Sequence, residues 1–179
     1  MKSYLLIFST VDGHTKKILE HISNNLKERN KVELFDLDSE NYIDFSRFDF
    51  ILIGASIRYG NYRNKLFSFI EKNLDEINKR DNAFFSVNVV ARKEEKNSNE
   101  TNPYIKKFLK RTKWRPNKIS VFAGVVDYPN YKFFDKHIIR LIMYITNGPT
   151  DVTKTYEFTD WDKVDELSLI HISEPTRQL

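Results

Sequence analysis

The stretch Tyr4-Leu5-Leu6-Ile7-Phe8-Ser9-Thr10-Val11-Asp12-Gly13-His14-Thr15 decides how this chain is read. Five apolar residues in succession make a strand covered on both faces, and polar Ser9 and Thr10 stop it. Ile18, Leu19, Ile22 and Leu26 then share one helical stripe, so a helix begins near Thr15. The loop between them is rich in hydroxyls. A helix start offers unpaired N–H groups and the positive end of a dipole, which suits a phosphate. Ser9, Thr10 and Thr15 add uncharged donors, and Gly13 allows close backbone wrapping; Val11, Asp12 and His14 complete the candidate loop. The same residue types also build ordinary helix caps and turns. Neither a GxGxxG run nor a P-loop lysine is present, which disfavours dinucleotides and nucleoside triphosphates.

Working outward, strand and helix patterns alternate. Val32 to Leu37 reads as a second, weaker strand and Phe50 to Gly54 as a third. A helix marked by Leu66, Ile70, Leu74 and Ile77 follows, then a fourth strand from Ala83 to Val87. Tyr104, Ile105, Phe108 and Leu109 mark a short helix before a fifth strand from Ile119 to Val126. Continuously apolar strands separated by helices give an α/β, doubly wound, five-stranded parallel sheet of order 2-1-3-4-5 with helices on both faces. The charged stretch Lys93 to Glu100 reads as a solvated loop.

One segment exceeds that minimal plan, a helical insertion at about 127–149 before the last helix. Over Tyr131 to Ile145, Ile138, Ile139, Leu141, Ile142, Met143 and Ile145 cover most of the circumference, with Lys132, Lys136 and Arg140 among them. Such a helix is buried as core, or it faces a ligand, a second copy of the chain or lipid. With Phe133 and Phe134 at its start, the anionic membrane surface is the partner expected for Tyr131–Ile145.

The 179 residues suit one domain, assigned to 1–167. The remainder, Ser168 to Leu179, reads as a translated adapter or vector scar that interrupts a helix just begun, with the helix stopping after Leu167. The absence of cysteine excludes thiol nucleophiles, iron–sulfur clusters and disulfides, and no metal site is expected. The N-terminal apolar run is too short for a secretory leader, no stretch is long enough to span a bilayer, and a cytoplasmic location is expected. A net charge of +4 favours anionic partners, although no aromatic-interleaved basic stripe points to nucleic acid.

Two further loops lie at the carboxyl ends of the strands, where doubly wound sheets bind ligands. Ser56, Ile57, Arg58, Tyr59 and Gly60 combine small residues with an aromatic to stack on a flat ring system, and Arg58 suits an anionic substrate or a surface ion pair. Ser86, Val87, Asn88, Val89, Val90 and Ala91 line the opposite side, with Arg92 near the mouth. No side chain is clearly a catalytic base; His14 and His137 read as structural.

The strings FSTVDGHT, IGASIRYGNY, SVNVVARK, TNPYIKKFL, WRPNK, AGVVDYP and TDW together resemble the bacterial menaquinone-dependent protoporphyrinogen oxidases of the flavodoxin-like fold. The resemblance runs from the first strand to about Leu167. It implies FMN as cofactor, protoporphyrinogen IX as substrate, and menaquinone or another respiratory quinone such as ubiquinone as acceptor, in haem synthesis at the inner face of the plasma membrane. It also implies that Ser9–Thr15 hold the phosphate and that the ring lies between the Ser56–Gly60 and Ser86–Arg92 loops. Cations for the substrate propionates are then sought among Arg58, Arg92, Lys132 and Arg140. A flavodoxin-type electron carrier is the alternative. The basic charge and the lack of a second aromatic in the third loop favour the enzyme.

Overall fold

The computed structural model describes residues 1–39 and 41–173. Strand β1 (Ser3–Ser9) leads to helix α1 (His14–Lys27), then β2 (Lys31–Asp36), β3 (Phe50–Ser56), helices α2 (Asn64–Lys72) and α3 (Leu74–Asn78), and β4 (Asp81–Val87). Helix α4 (Pro103–Arg111) and strand β5 (Lys118–Phe122) complete the main sheet. Beyond it come β6 (Val125–Asp127), α5 (Phe133–Ile145), β7 (Thr155–Glu157) and α6 (Trp161–Ser173). The five-stranded sheet is parallel throughout and ordered β2-β1-β3-β4-β5, as the apolar runs require.

Each strand divides its side chains between two cores. Leu5 and Ile7 face Leu66, Ile70, Ile105, Phe108 and Trp114 from α2, α4 and the chain after α4. Tyr4, Leu6 and Phe8 face Ile18, Leu19, Ile22 and Leu26 of α1, together with Val164 and Leu167 of α6. With both faces covered, the strand ends are free to form a cleft.

Four features differ from the pattern reading. The single helix expected across Leu66 to Ile77 is two helices, because Asn73 adopts non-helical backbone and its side chain donates to the Phe69 carbonyl at 2.8 Å. The fifth strand ends at Phe122, whose neighbour Val87 is the last residue of β4. Residues after it therefore lack a parallel partner, and Val125–Asp127 instead pairs antiparallel with Thr155–Glu157 in a separate ribbon. The excursion between main sheet and final helix thus extends past residue 149 to include β7. Finally, α6 continues through Ser168 to Ser173 instead of stopping after Leu167, with the Ser168 hydroxyl buried and donating to the Val164 carbonyl. Residues 174–179 of the expected tail lie outside the described residues.

Candidate functional site

At the carboxyl ends of β1, β3 and β4 lies a cavity of about 580 Å3, within the range of small-molecule sites. Thr10, Asp12, Gly13, His14 and Lys17 form one wall, and Ser56, Ile57, Val87, Asn88 and Val89 the floor and opposite side. The third wall was invisible in the strand pattern. It consists of Gly124, Val125, Asp127, Asn130 and Tyr131 with Thr155 and Glu157, brought in by the β6–β7 ribbon.

Helix α1 begins at the cavity wall with an open first turn. Its N-cap is Gly13 in the left-handed region (φ 86°), with no side chain capping the first turn. That turn carries no acidic residue and is followed by Lys17 on the cavity wall, the reverse of what the dipole alone favours. Thr10 Oγ1 accepts from the Gly13 N–H at 3.0 Å and fixes the turn. Thr15 is fully buried, and its Oγ1 has no hydrogen-bond partner among the described residues. A buried hydroxyl left unpaired beside uncapped N–H groups fits an external acceptor such as a phosphate.

His14 is set aside from this chemistry. Its Nε2 lies 2.6 Å from Thr159 Oγ1, which itself donates to the Ala123 carbonyl at 2.8 Å. The hydroxyl has one proton to give, so the imidazole donates, and Nε2 carries its hydrogen. Burial holds the His14 pKa below its ordinary value; the nearby Glu157 opposes that shift and Lys17 reinforces it. Partial desolvation of the exposed Glu157 raises its pKa, but the Trp161 indole N–H at 2.8 Å and Lys17 at 3.3 Å bond its carboxylate and hold the pKa below its ordinary value. Asp127 braces the ribbon, accepting from Asn130 Nδ2 and Thr155 Oγ1 at 2.7 and 2.8 Å.

Arg58 does not line the cavity. Its Nη1 contacts both Asp12 carboxylate oxygens at 2.8 and 2.6 Å, and its Nη2 lies 2.9 Å from Asp135 Oδ2 in the first turn of α5. Its guanidinium sits 5.2 Å from the Tyr59 ring centre and 5.4 Å from that of Tyr131. Tyr59, at φ 48°, donates its hydroxyl to Asp135 and stays half-exposed at the rim. The stacking side chain read from the sequence is therefore turned toward α5. Tyr131, half-buried and lining the cavity, is the aromatic wall the sequence did not single out.

The other candidate residues are placed as follows. Ser9 is buried at the end of β1, whereas Val11 is exposed and Gly60 turns the chain at φ 76°. Ser86 accepts from Tyr62 Oη at 2.7 Å and from Asn88 Nδ2 at 3.0 Å, inside the core. The Asn88 side chain is consumed locally, accepting from the Ala91 N–H and from Asn102 Nδ2, both at 3.1 Å. Val90 and Ala91 belong to a short 3-10 turn outside the cavity wall. Arg92 donates to the Val89 carbonyl and, through Nη2, to the Thr146 carbonyl and hydroxyl at 2.9 Å, closing the C-terminal end of α5. Lys132 and Arg140 are exposed and make no ion pair among the described residues.

Helix α5 buries only Met143. Phe133, Phe134, Ile138, Leu141, Ile142, Tyr144 and Ile145 are exposed, Phe134 at 78% and Ile145 at 69%. The core-packed alternative for this helix is therefore not what the fold adopts. Among the described residues no helix is long and apolar enough to cross a membrane.

Two curated relatives are similar over most of this chain. A Leishmania major protein named protoporphyrinogen IX dehydrogenase [quinone] is 41% identical over 162 residues, 89% of this chain and 70% of its own. An Escherichia coli K12 protein of the same name is 39% identical over 161 residues, 89% of each chain. Among solved structures, a Lactobacillus acidophilus flavoprotein in complex with FMN aligns at 18% identity and a TM-score of 0.48, over 68% of this chain and 93% of that one. A flavodoxin-domain family profile matches residues 5–153, from the first strand of the sheet nearly to β7. Strand order and sequence match agree on the lineage: the chain belongs to the flavodoxin-domain family.

Proposed function

We propose that this protein is an FMN-dependent protoporphyrinogen IX dehydrogenase, passing electrons to a respiratory quinone (menaquinone or ubiquinone) in haem biosynthesis. The cavity beside the uncapped start of α1 is the observation that carries the reading, and the names of relatives at 39–41% identity supply the substrate and the acceptor class. FMN, when bound, supplies the acceptor for hydride equivalents and the route of electrons to quinone.

The residues present fit such a cofactor. The α1 N-terminus, Thr10 and Lys17 line the place where its phosphate would be held, with the unpaired Thr15 hydroxyl buried in the same first turn, while Ile57, Val87, Val89 and Tyr131 offer apolar walls to a flat ring. Asp12 would oppose an anion there, but Arg58 neutralises it. His14 gives its Nε2 hydrogen to Thr159, so it braces the loop and does not serve as the acid or base.

The exposed apolar side of α5, edged by Lys132, Lys136 and Arg140, supports docking on the anionic inner face of the plasma membrane, where quinones reside. The governing experiment is anaerobic: FMN-reconstituted protein, protoporphyrinogen IX and a menaquinone analogue, followed by porphyrin fluorescence. Growth of the signal that needs both FMN and quinone is expected. A flavin spectrum without porphyrin formation would replace this reading with an electron carrier.

A further inference from the structure

The Arg58 guanidinium is shared between two carboxylates from different parts of the chain. Asp12 takes both its oxygens to Nη1, whereas Asp135 takes Nη2, so the group of three carries a net negative charge at the cavity mouth. Among the described residues, Asp135 is the one in the first turn of α5 whose side chain bonds to the sheet loops; Phe133 and Phe134, its neighbours, are exposed. The opposite end is fixed differently, by buried Met143 lying against Gly148 and by Arg92 bonding Thr146. The helix is thus packed and capped at one end and held at the other by a polar clasp through Arg58 and Tyr59. Tyr131, just before α5, lies both over Arg58 and on the cavity wall, so movement of this end changes the mouth.

We propose that Asp135 is a built-in placeholder for a carboxylate of the substrate: it holds the Nη2 side of Arg58 until a carboxylate-bearing ligand takes its place. The exchange swaps one carboxylate for another, so Arg58 stays paired with Asp12 throughout. Releasing Asp135 frees the N-terminal end of α5 to turn about its Thr146 end and widen the cleft. The proposal rests on the porphyrin reading of the site, since the displacing group is one of the two propionates of that substrate class.

The test uses the full chain loaded with FMN and two fluorescent probes, protoporphyrin IX and its dimethyl ester. Asp135→Asn is expected to tighten binding of the acid by roughly three- to tenfold while leaving the ester unchanged. Asp135→Ala is expected to act in the same direction. Backbone hydrogen exchange over residues 133–138 should quicken in Asp135→Asn without ligand, and in the wild type on adding the acid but not the ester. Weaker acid binding by both variants, equal shifts for acid and ester, or no shift would overturn the placeholder while porphyrin binding by the wild type kept the substrate reading alive. If the wild type bound neither probe, both would fall together.

Discussion

Arg58 Nη1 meets Asp12 Oδ2 at 2.6 Å across 46 residues of chain, tying the loop after β3 to the loop that starts α1. An acidic side chain at a helix N-terminus repels a bound phosphate unless a cation answers it. Arg58→Ala is therefore expected to weaken FMN binding several-fold, and Asp12→Asn in that background to recover most of the loss. Flavin fluorescence titrations of the four proteins in the cycle would read the coupling. Equal FMN affinity in wild type and Arg58→Ala would show that the pair has no part in cofactor binding.

The unpaired hydroxyl of Thr15 makes an expectation of opposite signs in two states. Thr15→Val removes a buried polar atom that has no partner, so the FMN-free protein should melt at the same temperature or higher, gaining up to about 1 kcal/mol. FMN affinity should drop by about tenfold, the scale of one hydrogen bond to a charged acceptor. Calorimetry with and without FMN checks both halves. A lower melting point without FMN would mean that the hydroxyl has a structural partner.

Burial depresses the pKa of His14 in the folded chain, while the unfolded imidazole titrates near 6.5. The unfolded state then takes up the proton first, so this residue's stabilising share is complete above about pH 6.5 and is lost as pH falls toward the folded value. His14→Gln should flatten the loss of melting temperature between pH 7.5 and pH 5.5 in the FMN-free protein. An unchanged slope would remove His14 from the acid response.

Exposed residues on α5 should matter to membranes and not to folding. Phe134→Ser combined with Ile145→Ser removes two of the most exposed apolar side chains, so stability should move by less than about 0.5 kcal/mol. Sedimentation with anionic vesicles should fall markedly. Retained sedimentation would free α5 of that role, and a loss of dimer instead would assign it to a second copy of the chain.

Much of the sheet was readable because its strands are uniformly apolar: Leu5-Leu6-Ile7 and Ile51-Leu52-Ile53 leave no other way to be buried. The three-residue strands Val125–Asp127 and Thr155–Glu157 were not, because so short a run has no period to recognise. With them went Gly124, Thr155 and Glu157 of the cavity wall. The residue types at Ser9–Thr15 pointed to a candidate loop, four of whose residues line the cavity, but side-chain directions were beyond any pattern. Arg58 and Tyr59 point to Asp135, a partner 76–77 residues away that no local spacing announces. The exposed state of α5 was open for the same reason: an apolar circumference does not say whether the chain folds back over it.

The joining of α1 to α6 carries a cost in time during synthesis. His21 pairs with Asp165, 144 residues later, and the stripe of Ile18, Leu19 and Ile22 shares its core with Val164 and Leu167. At ribosomal rates of 5–20 residues per second, α1 waits on the order of ten seconds for that cover. Throughout the interval the nascent chain presents an incomplete apolar layer, the kind of surface that chaperones hold and that aggregates in crowded translation. Slow decoding ahead of Trp161 would lengthen the exposure, so production of this protein should be sensitive to codon choice in the stretch between β5 and α6.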